Sequence, residues 1–231
     1  MDKRLRRALI ALAVLLGLFV AADRISLAVA EDVAAQTIKD SQHLPSTPSV
    51  SVHGFPFLTQ LASGNYDDID VTAHGLEVGD SIRQLRIRSV AVTLHSVTIG
   101  NHFKSVRARH ASATATISYA DLSSTLGATI AYAGSGRIQG SAGVTVAGVP
   151  IRGTVSTVLR VSGSTLTFSD TQSSVAGVTL PSELSSVLGR IFSTPLSLAG
   201  IPFGLHYSAV EATKSGLKVT LSGSNLVYFR S

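Results

Sequence analysis

The chain has 231 residues, 45% of them hydrophobic and only 14% charged. That length suits one domain or a small pair, and a charged fraction so far below the roughly 25% of ordinary soluble domains excludes a disordered chain or a coiled coil. Aromatics make up 6%, with no Trp and no Cys, which argues against a base-stacking nucleic-acid binder and removes disulfides, thiolate metal sites and cysteine nucleophiles.

The first element is an export segment. Met1–Arg7 is short and basic, and Ala8–Ala22 is an unbroken run of 15 residues without a charge or strong polar group. This is the layout of a secretory signal. The run is short of the about 20 residues that span a bilayer, yet flanking cations could let it stay as an uncleaved anchor. Val20-Ala21-Ala22 and Ala28-Val29-Ala30 offer small-residue exits. Four cations ahead of the run hold that end in the cytoplasm and send the remainder across. The domain layout is therefore 1–22 as signal peptide or signal anchor and 23–231 as a single exported domain on the outer side of the plasma membrane, secreted or anchored. Of the net charge of +5, +3 sits in residues 1–30, which hold five cations and two acids. The nearly neutral body is no generic polyanion binder.

Residues 24–42 predict an amphipathic helix, with Ile25, Ala28, Val29, Ala35 and Ile38 on one face and Asp23, Asp32, Gln36 and Lys39 on the other. Pro45 and Pro48 end it. Strands follow at Ser49–His53, Ile69–Ala73, Leu85–Ile99, Ala111–Ile117, Thr129–Ala133, Ile138–Val146, Gly153–Val161, Thr165–Ser169, Leu205–Ala212 and Leu217–Leu221, rich in Val, Ile, Thr and Ser. Two short helices interrupt them: Ser118–Leu126, with Ser118 and Asp121 placed to favour its start, and Pro181–Ile191, with an apolar stripe of Leu184, Val187, Leu188 and Ile191. Three segments share the order Gly, apolar, Pro, apolar: Gly54–Phe57, Gly148–Ile151 and Gly200–Phe203. Each reads as a turn or strand edge, and the first is apolar enough, with Leu58 and Leu61, to line a cavity mouth.

Catalytic constellations are missing from the sequence: no Gly-x-Ser-x-Gly elbow, no His-Glu-x-x-His, no phosphate loop. Seven histidines are scattered without metal-ligand spacing, and Asp67, Asp68, Asp70, Glu77 and Asp80 do not match a calcium loop. Residues 81–120 hold Arg83, Arg86, Arg88, Lys104, Arg107 and Arg109 and no acid. Arg86 and Arg88 share a strand face, as do Arg107 and Arg109. Such a face either keeps a strand soluble or docks on anionic headgroups.

The basic start running into Ala21-Ala22-Asp23-Arg24, the string from Pro48 through Gly54-Phe55-Pro56-Phe57-Leu58-Thr59-Gln60-Leu61, Tyr66–Ala73, Ile117–Leu122 and Ile201–Leu205 together resemble the LmeA-like phospholipid-binding proteins of actinobacterial cell envelopes. The resemblance implies an α+β fold like the tubular lipid-binding (TULIP-like) domains: a long N-terminal helix packed in a strongly curved antiparallel β-sheet with two short helices. It also implies a role in envelope lipid or mannan-lipid metabolism without intrinsic catalysis, no cofactor, and phospholipid and the membrane surface as partners. Acyl chains would lie in an apolar groove for which Phe55, Phe57, Leu58, Leu61, Leu184, Leu188, Ile191 and Phe203 are the candidates, with the headgroup near Arg86, Arg88, Arg107 or Arg109. The alternative is an accessory subunit of an envelope glycosyltransferase, and an envelope hydrolase using His and Asp ranks last.

Overall fold

The computed structural model describes residues 3–79, 84–100, 105–146, 149–174, 195–198 and 205–229. In chain order the elements are α1 (Lys3–Gln42), β1 (Ser49–His53), α2 (Phe57–Ser63), β2 (Asn65–Gly79), β3 (Gln84–Gly100), β4 (Ser105–Ile117), α3 (Tyr119–Leu126), β5 (Thr129–Gly134), β6 (Arg137–Val146), β7 (Val149–Ser162), β8 (Thr165–Ser174), β9 (Leu196–Ser197), β10 (His206–Thr213) and β11 (Gly216–Phe229). The class is α+β with antiparallel sheets. One sheet has the order β1-β2-β3-β4-β11-β10. The other runs β5-β6-β7-β8, with the two-residue β9 added at its edge.

Neither sheet is strongly curled, which corrects the expectation of one strongly curved sheet. The reason lies in the ladders. Sharp bending needs repeated bulges, whereas β6 and β7 pair from Arg137↔Val158 to Val146↔Val149 without a shift. Single shifts interrupt β5–β6, β7–β8 and β10–β11. Pro150, in the second Gly-apolar-Pro-apolar segment, lies inside the β6–β7 ladder opposite Thr145. Of the two expected short helices, α3 forms where predicted. Pro181–Ile191 lies outside the described residues, as does the third segment at 200–203.

The chain divides into two compact units. The first comprises residues 1–72, 93–110 and 224–231, the second 73–92 and 111–223. In the first unit α1 packs against β1 and α2. Its core gathers Phe57, Tyr66, Val97 and Ala108, with Leu27 and Ala30 of α1 packed on them. A second cluster joins Ala35 to Val50 and Val71, flanked by Ala34 and Ile38. The Phe57 and Tyr66 ring centroids are 6.3 Å apart at a tilted 40°, the offset geometry aromatic pairs favour.

In the second unit α3 packs on β5 and β10 on β7. Ser118 caps α3: its Oγ accepts the Asp121 N–H at 3.0 Å while its hydroxyl donates to the Asp121 carboxylate. Leu122 and Leu126, four residues apart, are buried. Leu85, Ile87, Ile117, Ile138, Leu166, Leu217 and Leu221 are also buried in this unit. The Tyr119 hydroxyl donates to the Thr213 carbonyl at 2.6 Å, and burial, aided by Tyr132, pushes its phenol up to about 12. Burial likewise raises Tyr207, whose hydroxyl donates to the Leu198 carbonyl. Both phenols are protonated donors: Tyr119 ties α3 to the end of β10, and Tyr207 ties β10 to the residue after β9. Gly216 (φ +142) lets β11 begin against the chain, because a Cβ there would lie 2.3 Å from the Ile117 carbonyl oxygen.

Candidate lipid and membrane contact site

The first unit assembles its most distinctive site where α1 meets the turn before α2. Helix α1 docks through one face, spaced by three and four: Asp23, Leu27, Ala30, Glu31, Ala34, Ala35 and Ile38. This corrects the expected orientation. Asp23 belongs to the docked face and has no exposed surface, while Ile25, Val29 and Val33 point outward. The reason is hydrogen bonding. Helix α2 is short, starts after Pro56, and has no side-chain cap of its own. Its first N–H groups need an acceptor, and Asp23 supplies one: Oδ1 accepts the Leu58 N–H at 2.8 Å. The other oxygen takes two donations from Arg24, from Nε at 3.1 Å and from Nη2 at 2.6 Å. Two helical turns further on, Glu31 Oε1 accepts the Val52 N–H of β1 at 2.7 Å. Two carboxylates on one helix face thus hold α2 and β1 against α1.

The turn itself is fixed by Gln60. Its amide donates to the His53 carbonyl at 3.2 Å and its Oε1 accepts the Asp67 N–H at 3.1 Å. Gly54 (φ +106) makes room for this, since a Cβ there would lie 2.3 Å from Gln60 Nε2 and 2.7 Å from Asp67 Oδ2. The held turn projects Phe55 outward. Phe55 is 61% exposed and its ring carries the Arg24 guanidinium 5.3 Å from the centroid, within cation–π range.

The predicted groove residues therefore divide. Phe55 is exposed, Leu61 is 38% exposed, Leu58 is half-buried and Phe57 is 2% exposed inside the core. Leu184, Leu188, Ile191 and Phe203 lie outside the described residues. Arg86 and Arg88 are exposed and alternate with buried Leu85 and Ile87; Arg107 and Arg109 are exposed on either side of buried Ala108. The first pair belongs to the second unit and the second pair to the first. All of α1 from residue 3 to 22 is exposed, and this helix is long and apolar enough to cross a membrane. A model of the LmeA-like phospholipid-binding family matches residues 21–222.

The chain belongs to that family. Lipid binding in general follows from membership in the LmeA-like family, as does lipid as a partner. No curated protein and no solved structure matches the chain. The match begins at residue 21, two residues before Asp23, so the docked half of α1 is part of what the family model covers.

The acidic segment finds partners that its own sequence lacks. Asp70 Oδ2 pairs with His53 Nε2 at 2.8 Å, and Asp68 Oδ1 with His95 Nδ1 at 2.5 Å. The Thr93 hydroxyl, with His53 second, holds the Asp70 carboxyl below the usual carboxylate range against an opposing effect of burial. Both pairs lie on an exposed sheet face. Among the described residues no group of three His, Cys, Asp or Glu is placed to hold a metal ion. Sequence reasoning missed Asp23 and Gln60 as organising residues. The signal for Asp23 was a helix-face spacing that matched Leu27, Ala30 and Ala34 better than it matched Asp32 and Gln36.

Proposed function

We propose that this LmeA-like protein is a non-catalytic phospholipid-binding protein on the outer side of the plasma membrane, where it holds acyl chains in an apolar groove and supports envelope lipid or mannan-lipid metabolism. The observation that carries the reading is the family match over residues 21–222. The basic start and exposed apolar half of α1 support export, with the helix retained as an anchor. Affinity would come mainly from buried acyl CH2 groups, each about 0.8 kcal/mol. The arginine pairs on the outer strand faces suit anionic headgroups, each cation adding about 1 kcal/mol near a charged surface.

Native mass spectrometry tests this on residues 23–231, which keep every α1 residue named above as packed on or hydrogen-bonded to the body. The expected result is a stoichiometric phospholipid that survives detergent-free purification, identified by organic extraction. A protein that is empty and takes up no phospholipid from vesicles overturns lipid holding and favours the accessory-subunit alternative.

A further inference from the structure

We infer that the Arg24–Phe55 corner is a second lipid contact, distinct from any groove: an interface anchor that sits in the headgroup region while the apolar run of α1 lies in the bilayer. The inference rests on the anchor reading of α1, not on lipid being carried. Helix α1 is continuous from Lys3 to Gln42. Arg24 therefore stands about 3 Å beyond Ala22 along the axis, at about 1.5 Å per residue. The run Ala8–Ala22 is 15 residues long, about 22 Å of helix against a hydrocarbon core of about 30 Å. A helix that short draws its flanking residues toward the acyl boundary. On the N-terminal side these are Arg6 and Arg7, which can snorkel. On the other side they are Asp23, Arg24 and Ile25, together with Phe55 from the turn.

That side is built for an interface. The anion is hidden, since Asp23 has no exposed surface and is filled with donors from Arg24 and Leu58. What faces outward is a guanidinium, the ring beneath it and Ile25, 65% exposed. Nε and one Nη2 proton of Arg24 are engaged by Asp23, so the remaining guanidinium protons are the ones that would meet a lipid phosphate, with the apolar Phe55 ring exposed beside them. The rigid turn set by Gly54 and Gln60 keeps Phe55 projecting. The occupant is thus the bilayer into which α1 itself runs.

The chain has no Trp, so F55W and, as an aqueous reference at an exposed hairpin turn, K214W each carry one reporter. The full chain is reconstituted into phosphatidylcholine–phosphatidylglycerol vesicles. The expected result is a blue-shifted F55W emission relative to K214W, quenched more by lipid brominated near the headgroup than by aqueous iodide. F55W emission like that of K214W, with equal iodide quenching, in a chain that resists alkaline carbonate extraction overturns the corner and leaves the anchor standing. A chain washed off by carbonate overturns the anchor and the corner together. Neither result bears on whether residues 23–231 retain phospholipid. Should F55W misfold, F55C and K214C with a membrane-impermeant maleimide give the same reading: protection of F55C supports the corner, and equal labelling overturns it.

Discussion

The two halves of α1 are equally helical and both rich in Ala, Leu, Ile and Val, yet one is bare and the other docked. Residues 3–22 are all exposed, whereas from residue 23 every third or fourth position meets the body. Apolar content runs the wrong way to explain this, because the bare half is the more apolar, with its unbroken run Ala8–Ala22, while Ile25, Val29 and Val33 in the docked half are more than half exposed. Polar acceptors explain it. Asp23 and Glu31 each reach a backbone N–H of another element, and small or medium apolar residues between them fill the contact. Nonpolar surface supplies affinity without direction, while an obligatory N–H fixes which helix face turns inward.

The largest test removes half of the docked face. Cutting after Ala30 takes away Asp23, Arg24, Leu27 and Ala30, so residues 31–231 should lose the cooperative melting of the first unit that residues 23–231 keep, read by circular dichroism. An unchanged melt would show that α1 docks through its last three turns alone. The next contrast lies within the turn. Phe57→Ala empties a core position and should cost about 3–5 kcal/mol, whereas Phe55→Ala should stay within about 0.5 kcal/mol, both by urea denaturation. Equal costs would erase the distinction between core and outward ring. Asp23→Ala should lower Tm on the order of 5 °C, by leaving the Leu58 N–H without its buried acceptor. Asp23→Asn should recover part of that loss, because an amide oxygen still accepts, and failure to recover would assign the effect to Arg24 instead.

Legibility in the sequence follows the range of the interactions. Helix α3 was legible because its cap, Ser118, is adjacent and bonds three residues ahead. Helix α2 is not legible from its own segment, which reads as a turn or strand edge, because its acceptor is Asp23, 35 residues back, and no local pattern announces it. The same distance explains the inverted face of α1: an aspartate in a helix reads as solvent-facing until its partner is known. Most strands were found from Val, Ile and Thr alternation, but β2 begins four residues earlier than its clear alternation, since Tyr66 rather than an aliphatic residue fills its first inward place. Inward parity also slips along β3, from Leu85 and Ile87 to Val90 and Val92 and then to Val97, near Ser96 at φ +50. Slips of this kind belong to cross-strand pairing and leave little trace in composition. Of the site, the sequence groups Phe55 with Phe57, Leu58 and Leu61 as one apolar segment, and the outward setting of Phe55 depends on Gln60 and Gly54, whose partners come from separate places in the chain.

The smallest effect is expected where a carboxylate is partly open rather than sealed: Asp70 keeps one oxygen buried, yet its side chain is 43% exposed, which sharpens the contrast with Asp23. Asp70 bonds His53 across neighbouring strands, with side chains 43% and 53% exposed, so solvent screens the pair and its worth stays below about 1 kcal/mol. Because the Thr93 hydroxyl and then His53 hold the native carboxyl below its ordinary value of 3.8, its contribution is fully present above that value and fades as the pH falls through the lower native one. Asp70→Asn should therefore lower Tm slightly at neutral pH, and the difference from the parent should shrink as the pH drops below 3.8. A difference that instead grows in acid would mean the protonated carboxyl is the better partner for Thr93. One as large as that of Asp23→Ala would mean that exposure does not separate the two carboxylates, and the buried acceptor would lose its special place in orienting α1.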